Sequence, residues 1–444
     1  MTSYFLFFLA SAGSFLLGRR SLTSGIGYVI AVGYVYGIIR ANFVNTYTHL
    51  MFDGAVAGLY LAQLFVQSSA LERRQHHDLR MWVVVLVGWP TFLLAVSPGN
   101  APLVELVGWR ANVFLLPFLL LGARLSKDDL YDLAKLLAVF NIAAAGLAAA
   151  EFMFGIDQFF PRNELTEIIF KSTVLEDRSA FRIPSSFSSA HAYAGTIVLT
   201  LPLLIGGWIR NDRAGHWHTT FGVAIVASLL GIAMAAARVH TVVAALILLT
   251  ATFSGGIGLL QRFRWAIALG LVVWVVGGDV RLQRFTSLSD TSMISERVSG
   301  SVNEQFFEVI SDYPLGNGLA SGGTSVPYFL QNQRGRQTNT VIENDYARLA
   351  LEQGWPGLLL WVGFIAWALS RRVRRESRDL LLMRRLAWVT CAAFFASGLI
   401  GLGMLSAVPQ TTLMLLTTGW LAVPVKKVEP RVVSQPVALR ARAV

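Results

Sequence analysis

Apolar runs of bilayer-crossing length follow one another from Tyr4 almost to Val425, and no other feature restricts the fold so much. A hydrocarbon core of ~30 Å takes about 20 apolar residues per helix. Thirteen runs, give or take one, fall near 3–18, 22–39, 50–67, 81–97, 108–123, 134–153, 191–209, 219–237, 240–260, 265–279, 354–370, 386–406 and 411–425. Charged residues make up 14% of the chain, against roughly 25% in a soluble domain. The expected fold is therefore an all-α polytopic membrane protein of 12–13 transmembrane helices. It divides into an N-terminal bundle (1–153), a first long loop (154–190), spans seven to ten (191–279), a second long loop (280–353), three last spans (354–425) and a basic tail (426–444). The first run lacks a basic start and ends in Arg19-Arg20, so a retained helix is expected rather than a cleaved signal. The sole cysteine, Cys391, lies inside an apolar run and has no partner for an internal disulfide.

Lys and Arg set the sidedness. One register of alternate loops holds 24 of the 37 basic residues and nine of the 26 acidic ones. The other register is net acidic and contains both long loops. The basic register is expected in the cytoplasm, with the C-terminus, and the long loops outside. The net charge of +11 then reflects cytoplasmic loops rather than nucleic-acid binding.

Thirteen basic residues fall in the outer register, and twelve are Arg. Arg binds phosphate through a two-pronged fork, whereas Lys is a point charge. Arg178 and Arg182 precede span seven in EDRSAFRIPSSF; Arg238 and His240 share the short turn ARVHT; Arg110 stands at the lip of span five. RLQRF supplies Arg281 and Arg284, and SERVSGS supplies Arg297. Arg40, Arg162, Arg334 and Arg336 read as solvated or snorkelling. Arg110, Arg182, Arg238 and Arg297 sit where one cavity can gather them, and ionisable groups at membrane depth usually mark function. An anionic ligand presented from the lipid, a phosphate or pyrophosphate, is the expectation.

The second long loop carries two helical patterns. Ser295–Ser311 starts on a Ser cap and places Val302, Phe306, Val309 and Ile310 on one face; Asp312-Tyr313-Pro314 and a Gly-rich turn close it. In NTVIENDYARLALEQGWPG, Thr340 and Glu343 form a capping-box pattern for an amphipathic helix running to Gln353, before Gly354-Trp355-Pro356-Gly357 opens the next span. Glu343 is either that cap partner or a general base near the arginines.

Four pieces together resemble the bacterial O-antigen ligase and polysaccharide polymerase family, integral membrane glycosyltransferases of the GT-C type. RIPSSFSSAHAYAGTIVLTLPLL is similar to the family's Arg-x-x-Gly-Thr-Phe segment, and ARVHTVVAALIL to its Ser-Arg-Gly turn. ERVSGSVNEQFFEVISDYPLGNGLASG is similar to its helix with a Pro-Leu-x-Gly-x-Gly turn. ENDYARLALEQGWPGLLLW is similar to its His-Asn-x-x-Leu…Glu-x-Gly-x-x-Gly segment. The resemblance covers about 178–370. It departs where Pro184-Ser185 replaces Gly, and where the ligases carry His and this chain has Glu343; the loss of that His favours a polymerase over a ligase.

The resemblance implies an enzyme of the inner membrane, working at its outer face on undecaprenyl-pyrophosphate-linked oligosaccharide. Glu343, Arg182 and Arg297 would be catalytic, with Glu343 as base. Arg110, Arg178, Arg238 and Arg284 would hold pyrophosphate, and Tyr346, Arg348, Tyr313 and His240 would contact substrate. It implies no cofactor and no metal. A chain-length regulator or export machinery would be the protein partner. A flippase needs the same arginines, and a transferase using polyprenyl-monophosphate sugars needs acidic residues in the first outer loop, where only Asp53 stands.

Overall fold

The computed structural model describes residues 2–66, 76–96, 101–171, 181–210, 216–254, 305–322, 326–333, 342, 344–371, 378–401, 403 and 407–423. Sixteen α-helices and no β-sheet occur among them. The first half holds α1 (Thr2–Arg20), α2 (Leu22–Asn42), α3 (Thr46–His49), α4 (Met51–Leu64), α5 (His77–Val96), α6 (Pro102–Val113), α7 (Phe118–Ala123) and α8 (Lys127–Phe154). Then come α9 (Glu167–Lys171), α10 (Ala190–Arg210), α11 (His216–Met234), α12 (Arg238–Phe253) and α13 (Gln305–Asp312). The last three are α14 (Asp345–Ser370), α15 (Arg378–Ser397) and α16 (Gln410–Ala422). Twelve of the thirteen apolar runs fall on these helices, and the run at 265–279 lies outside the described residues. Among the described residues, eight helical stretches are long and apolar enough to cross a membrane, α6 and α7 counting together as one (Pro102–Ala123).

The burial pattern is that of a bundle in an apolar solvent. α10 is apolar all round and almost wholly enclosed, packed by α8, α11, α12, α15 and α16. Peripheral helices turn large apolar side chains outward: Phe5 and Phe8 on α1, Leu64 on α4, Val84 on α5, Leu359 on α14. Water would penalise that surface, and lipid does not. Some interior polar side chains bond between helices. Asn141 of α8 donates to Thr200 of α10 (2.7 Å) and Ser228 of α11 (2.9 Å), and accepts from Tyr34 of α2 (2.6 Å). One amide thus ties four helices where no water can substitute.

The two ends differ. Arg210–Asp128 (2.7 Å), Arg371–Asp78 (2.7 Å) and Arg124–Gln63 (2.9 Å) join elements at the end where the short basic connections lie. The opposite end carries the long loops and is called the loop end below. Cys391 is fully buried in α15, as a core residue.

The second loop departs from its expected pattern in two ways. The described part of its first helix is α13, whose Val309 and Ile310 face inward as expected; Ser295 and Val302 lie outside the described residues. The helix expected to be capped by Thr340 instead starts at Asp345. Its cap is Asn344, whose Oδ1 accepts from Ala347 N at 2.6 Å. Nor is its first part amphipathic: Asp345 through Gln353 are all buried. The polar residues face carboxylate, guanidinium and amide partners, not water. At Gly354 (φ 67°, ψ −170°) the chain breaks direction and continues as the apolar run of α14.

Candidate functional site

Three polar groupings occupy the loop end. The first is an interior cluster. Arg348 is 0% exposed and stands between Asp345 (Nη2–Oδ1 3.6 Å) and Glu352 (Nη1–Oε2 3.7 Å). These are ion pairs, too long for hydrogen bonds. Glu352 Oε2 also accepts from Asn112 of α6 (2.8 Å), and Gln353 Nε2 donates to the Asn112 carbonyl (2.9 Å). Trp89 of α5 donates to Gln353 O (2.9 Å), and Asp345 Oδ2 accepts from Gly403 N (3.1 Å). Arg348, expected to contact substrate, is thus enclosed by its own carboxylates. Tyr346 is likewise committed: it is buried and its hydroxyl donates to Phe395 O (2.8 Å).

The second grouping follows the segment 181–191. Arg182 Nη1 donates to His191 Nε2 at 2.8 Å. Arg carries no acceptor, so His191 accepts and its proton sits on Nδ1. The His191 and His240 rings are 6.0 Å apart, and Arg238 opens the helix that carries His240. A Cβ on Gly195 would stand 1.9 Å from Gln410 Oε1 and 2.9 Å from His240 Nε2, so α10, α12 and α16 meet there with nothing to spare. The segment holding Arg182 is fixed on three sides. Ser185 N donates to Glu151 Oε2 of α8 (2.9 Å), Ile183 N to Met234 O of α11 (3.3 Å), and Ile38 N of α2 to Ser186 O (2.9 Å).

Ser185 takes φ 52°, the left-handed region that Gly occupies freely. Two other non-glycine residues among those described share this region, Ala236 (φ 48°) and Ala320 (φ 67°). All three are buried at the loop end. Such strain persists only where surrounding packing over-determines it, and it tends to cluster at working sites.

The third grouping is a cavity of about 290 Å³ where both long loops meet α2, α4 and α6. Arg40 and Tyr36, His49, Asp53 and Arg110 line it, with Glu164 and Ser188 from the first loop and Tyr328 from the second. Arg110 Nη2 donates to Asp53 Oδ1 in a short ion pair. Arg40 stacks on Tyr36, 5.4 Å from its centroid. Burial, with Arg40 and Arg110 nearby, holds His49 down to about 3, so its imidazole is neutral. Arg40 was expected to be solvated; it is instead a cavity wall. Arg162 does stay exposed, paired with Asp157 at 3.1 Å.

The expected cluster of arginines is thus divided. Arg182 is brought to His191, whose ring faces His240, and Arg238 opens the helix that carries His240. Arg110 stands in the cavity with its charge engaged by Asp53, and Tyr313 packs at the base of the Pro314 turn. Arg178, Arg284, Arg297 and Glu343 lie outside the described residues, as do Arg334 and Arg336. His49, His191, Glu151, Glu164 and Glu352 were not expected. The available signal was a charged or imidazole group inside or beside an apolar run, as with Glu151 in AAAEFMF.

No model of a known protein family matches this chain, and no curated protein matches it.

Proposed function

We propose that the chain is a glycosyltransferase acting on undecaprenyl-pyrophosphate-linked oligosaccharide at the outer face of the bacterial inner membrane, and that it joins repeat units into polymer. What supports this reading is that the described parts of the four resembling segments lie at the loop end of an apolar bundle, the first bonded beside the second and the third docked on the fourth. Ile183 bonds to Met234 beside the Arg238 turn. Asn317 N donates to Leu351 O (2.6 Å) and Trp355 N to Pro314 O (2.9 Å), docking the third segment on the fourth.

In this reading the pyrophosphate lies by Arg182 and Arg238, with Arg178, Arg284 and Arg297 from the adjoining loops. Fixed guanidiniums stabilise the charge that grows on pyrophosphate as the C1–O bond breaks. The acceptor hydroxyl attacks C1 from the opposite face, its proton passes to Glu343, and undecaprenyl pyrophosphate leaves with the bonding pair. Glu343 immediately precedes the Asn344 cap in sequence. Arginine supplies the positive charge, so activity is expected to survive EDTA. Loss of activity restored by Mg²⁺ would overturn metal independence.

The test is glycan made by cells deleted for this gene and complemented with wild type, Arg182→Ala or Glu343→Gln at matched membrane expression. Single lipid-linked repeat units without polymer, in the deletion and both variants, support the polymerase. Long polymer left on its lipid carrier in the deletion would instead indicate a ligase. Repeat units trapped on the inner leaflet would indicate a flippase, a reading that the broken helix at Gly354 also suits.

A further inference from the structure

Arg182 meets a ring nitrogen where a carboxylate would be the usual partner. Its Nη1 lies 2.8 Å from His191 Nε2. Arg cannot accept, so the imidazole does, and only its neutral form can. His191 stands in the first turn of α10, where Ser189 Oγ accepts from Ala192 N (3.2 Å) and Ser189 O from Tyr193 N (3.0 Å), so its backbone is fixed. The positive end of a helix disfavours a cation, and the Arg182 guanidinium disfavours one again. Both partners can be reached from outside: His191 is exposed and Arg182 half-buried. Around them, α12 brings Arg238 and His240, whose ring is 6.0 Å from that of His191. α8 brings Glu151, which holds Ser185 N, while α15 and α16 bring Phe394 and Gln410, which do not titrate. An Arg side chain gives up rotamer freedom when a ligand fixes it, and a bond made beforehand removes part of that loss. His191 takes one of the five N–H donors of the guanidinium, so the pairing does not exhaust the fork.

We propose that His191 is a positioning residue: as a neutral imidazole it holds the Arg182 guanidinium ready for pyrophosphate, and it lets go when it takes up a proton. The inference rests on the pyrophosphate site of the glycan-transfer reading above and adds pH control to it. A protonated His191 carries hydrogens on both ring nitrogens and accepts nothing. Two cations then face each other, and the guanidinium swings away. Imidazole is the side chain whose charge ordinarily changes between pH 5 and 8. Anion affinity therefore falls in acid although the positive charge of the site rises. An arginine site that worked by charge alone would do the opposite.

The test uses full-length protein in nanodiscs, titrated with inorganic pyrophosphate by calorimetry from pH 8 to 5, as wild type, His191→Gln and His191→Leu. Gln offers an amide oxygen near the place of Nε2 and has no proton to gain. At pH 8, His191→Gln binds within about twofold of wild type and His191→Leu about tenfold more weakly, the loss of one hydrogen bond to a charged group. As pH falls to 5, wild type drops towards His191→Leu while His191→Gln stays above it. Proton uptake by pyrophosphate and by His240 is common to all three proteins and cancels in the ratios. Nitrogen-15 spectra of His-labelled protein, assigned by the signal missing from His191→Gln, show His191 with its proton on Nδ1 at pH 8. If His191→Leu has a lowered thermal midpoint, the His191→Gln ratio and the tautomer decide. The proposal is overturned if that proton sits on Nε2, if wild type binds no pyrophosphate, or if the ratio of wild type to His191→Gln is constant or rises in acid. Binding as expected, with normal polymer in deletion cells, would sink the polymerase and leave the positioning role standing. Polymer lost in the deletion and in Arg182→Ala, with wild type and His191→Gln alike at every pH, would do the reverse.

Discussion

Arg348 shows how a single side chain can be indispensable without touching a ligand. It carries one positive charge between two carboxylates, all three groups at 0% exposure. Removing the cation leaves two buried acids facing each other, so Arg348→Met is expected to destabilise by about 3–5 kcal/mol. Adding Glu352→Leu removes one of those acids, and Asp345 keeps its bond from Gly403 N. The double variant should therefore recover most of the loss in detergent thermal unfolding. Equal midpoints for single and double variants would mean that the ion pairs carry no weight. Glu151 acts differently, through the backbone of the segment that holds Arg182. Glu151→Ala orphans Ser185 N, a cost of about 1–3 kcal/mol, and should lower polymer yield with it. Glu151→Gln still offers an amide oxygen and should keep both. If Glu151→Gln fails in polymer assays at normal stability, the carboxylate has a chemical role beyond holding the loop.

At the scale of elements, the helices were legible in the sequence and their partners were not. An apolar run of bridging length needs only the local chain to declare itself, so twelve runs reappear as helices. Asp53 and Arg110 are 57 residues apart, and Asn112 and Glu352 are 240 apart. No local spacing announces such pairs. The segment ENDYARLALEQG misled for a related reason: its charges matched a solvated face, yet their partners arrive from α6 and the 398–403 turn. The Pro314 turn and the Gly354 break form one unit. Asn317 and Trp355 bond across them, and a Cβ on Gly354 would stand 2.4 Å from the Leu315 carbonyl carbon. Gly354→Ala meets both a backbone atom and a φ of 67° that L residues rarely adopt. It should undock the turn, raising deuterium uptake across 305–322 while the α10 core stays protected. Unchanged uptake there would show that the turn is held by other contacts.

At the scale of the whole molecule, charge separates the two ends, and the cavity lies at the end away from the basic connections. Sidedness is checked by cysteine labelling in a Cys391→Ser background: Trp355→Cys should react with an impermeant maleimide in intact cells, and Arg19→Cys only after permeabilisation. The reverse pattern would invert the topology and place the cavity inside. Folding of the loop end should also depend on pH, through His49. Its folded-state pKa is lowered to about 3 by burial, with Arg40 and Arg110 as further causes, against about 6.5 in the unfolded chain. A lowered imidazole pKa means that the unfolded state binds the extra proton. The stabilisation is complete above about pH 6.5 and declines as pH falls, by up to about 1.4 kcal/mol per unit. Other buried groups also contribute in this range, so the share of His49 is the difference between wild type and His49→Gln from pH 6.5 to 5. Thermal midpoints of wild type should fall across that interval, and those of His49→Gln, which has no proton to gain, should fall less. Parallel curves for the two proteins would mean that His49 is protonated as easily in the folded cavity as in water.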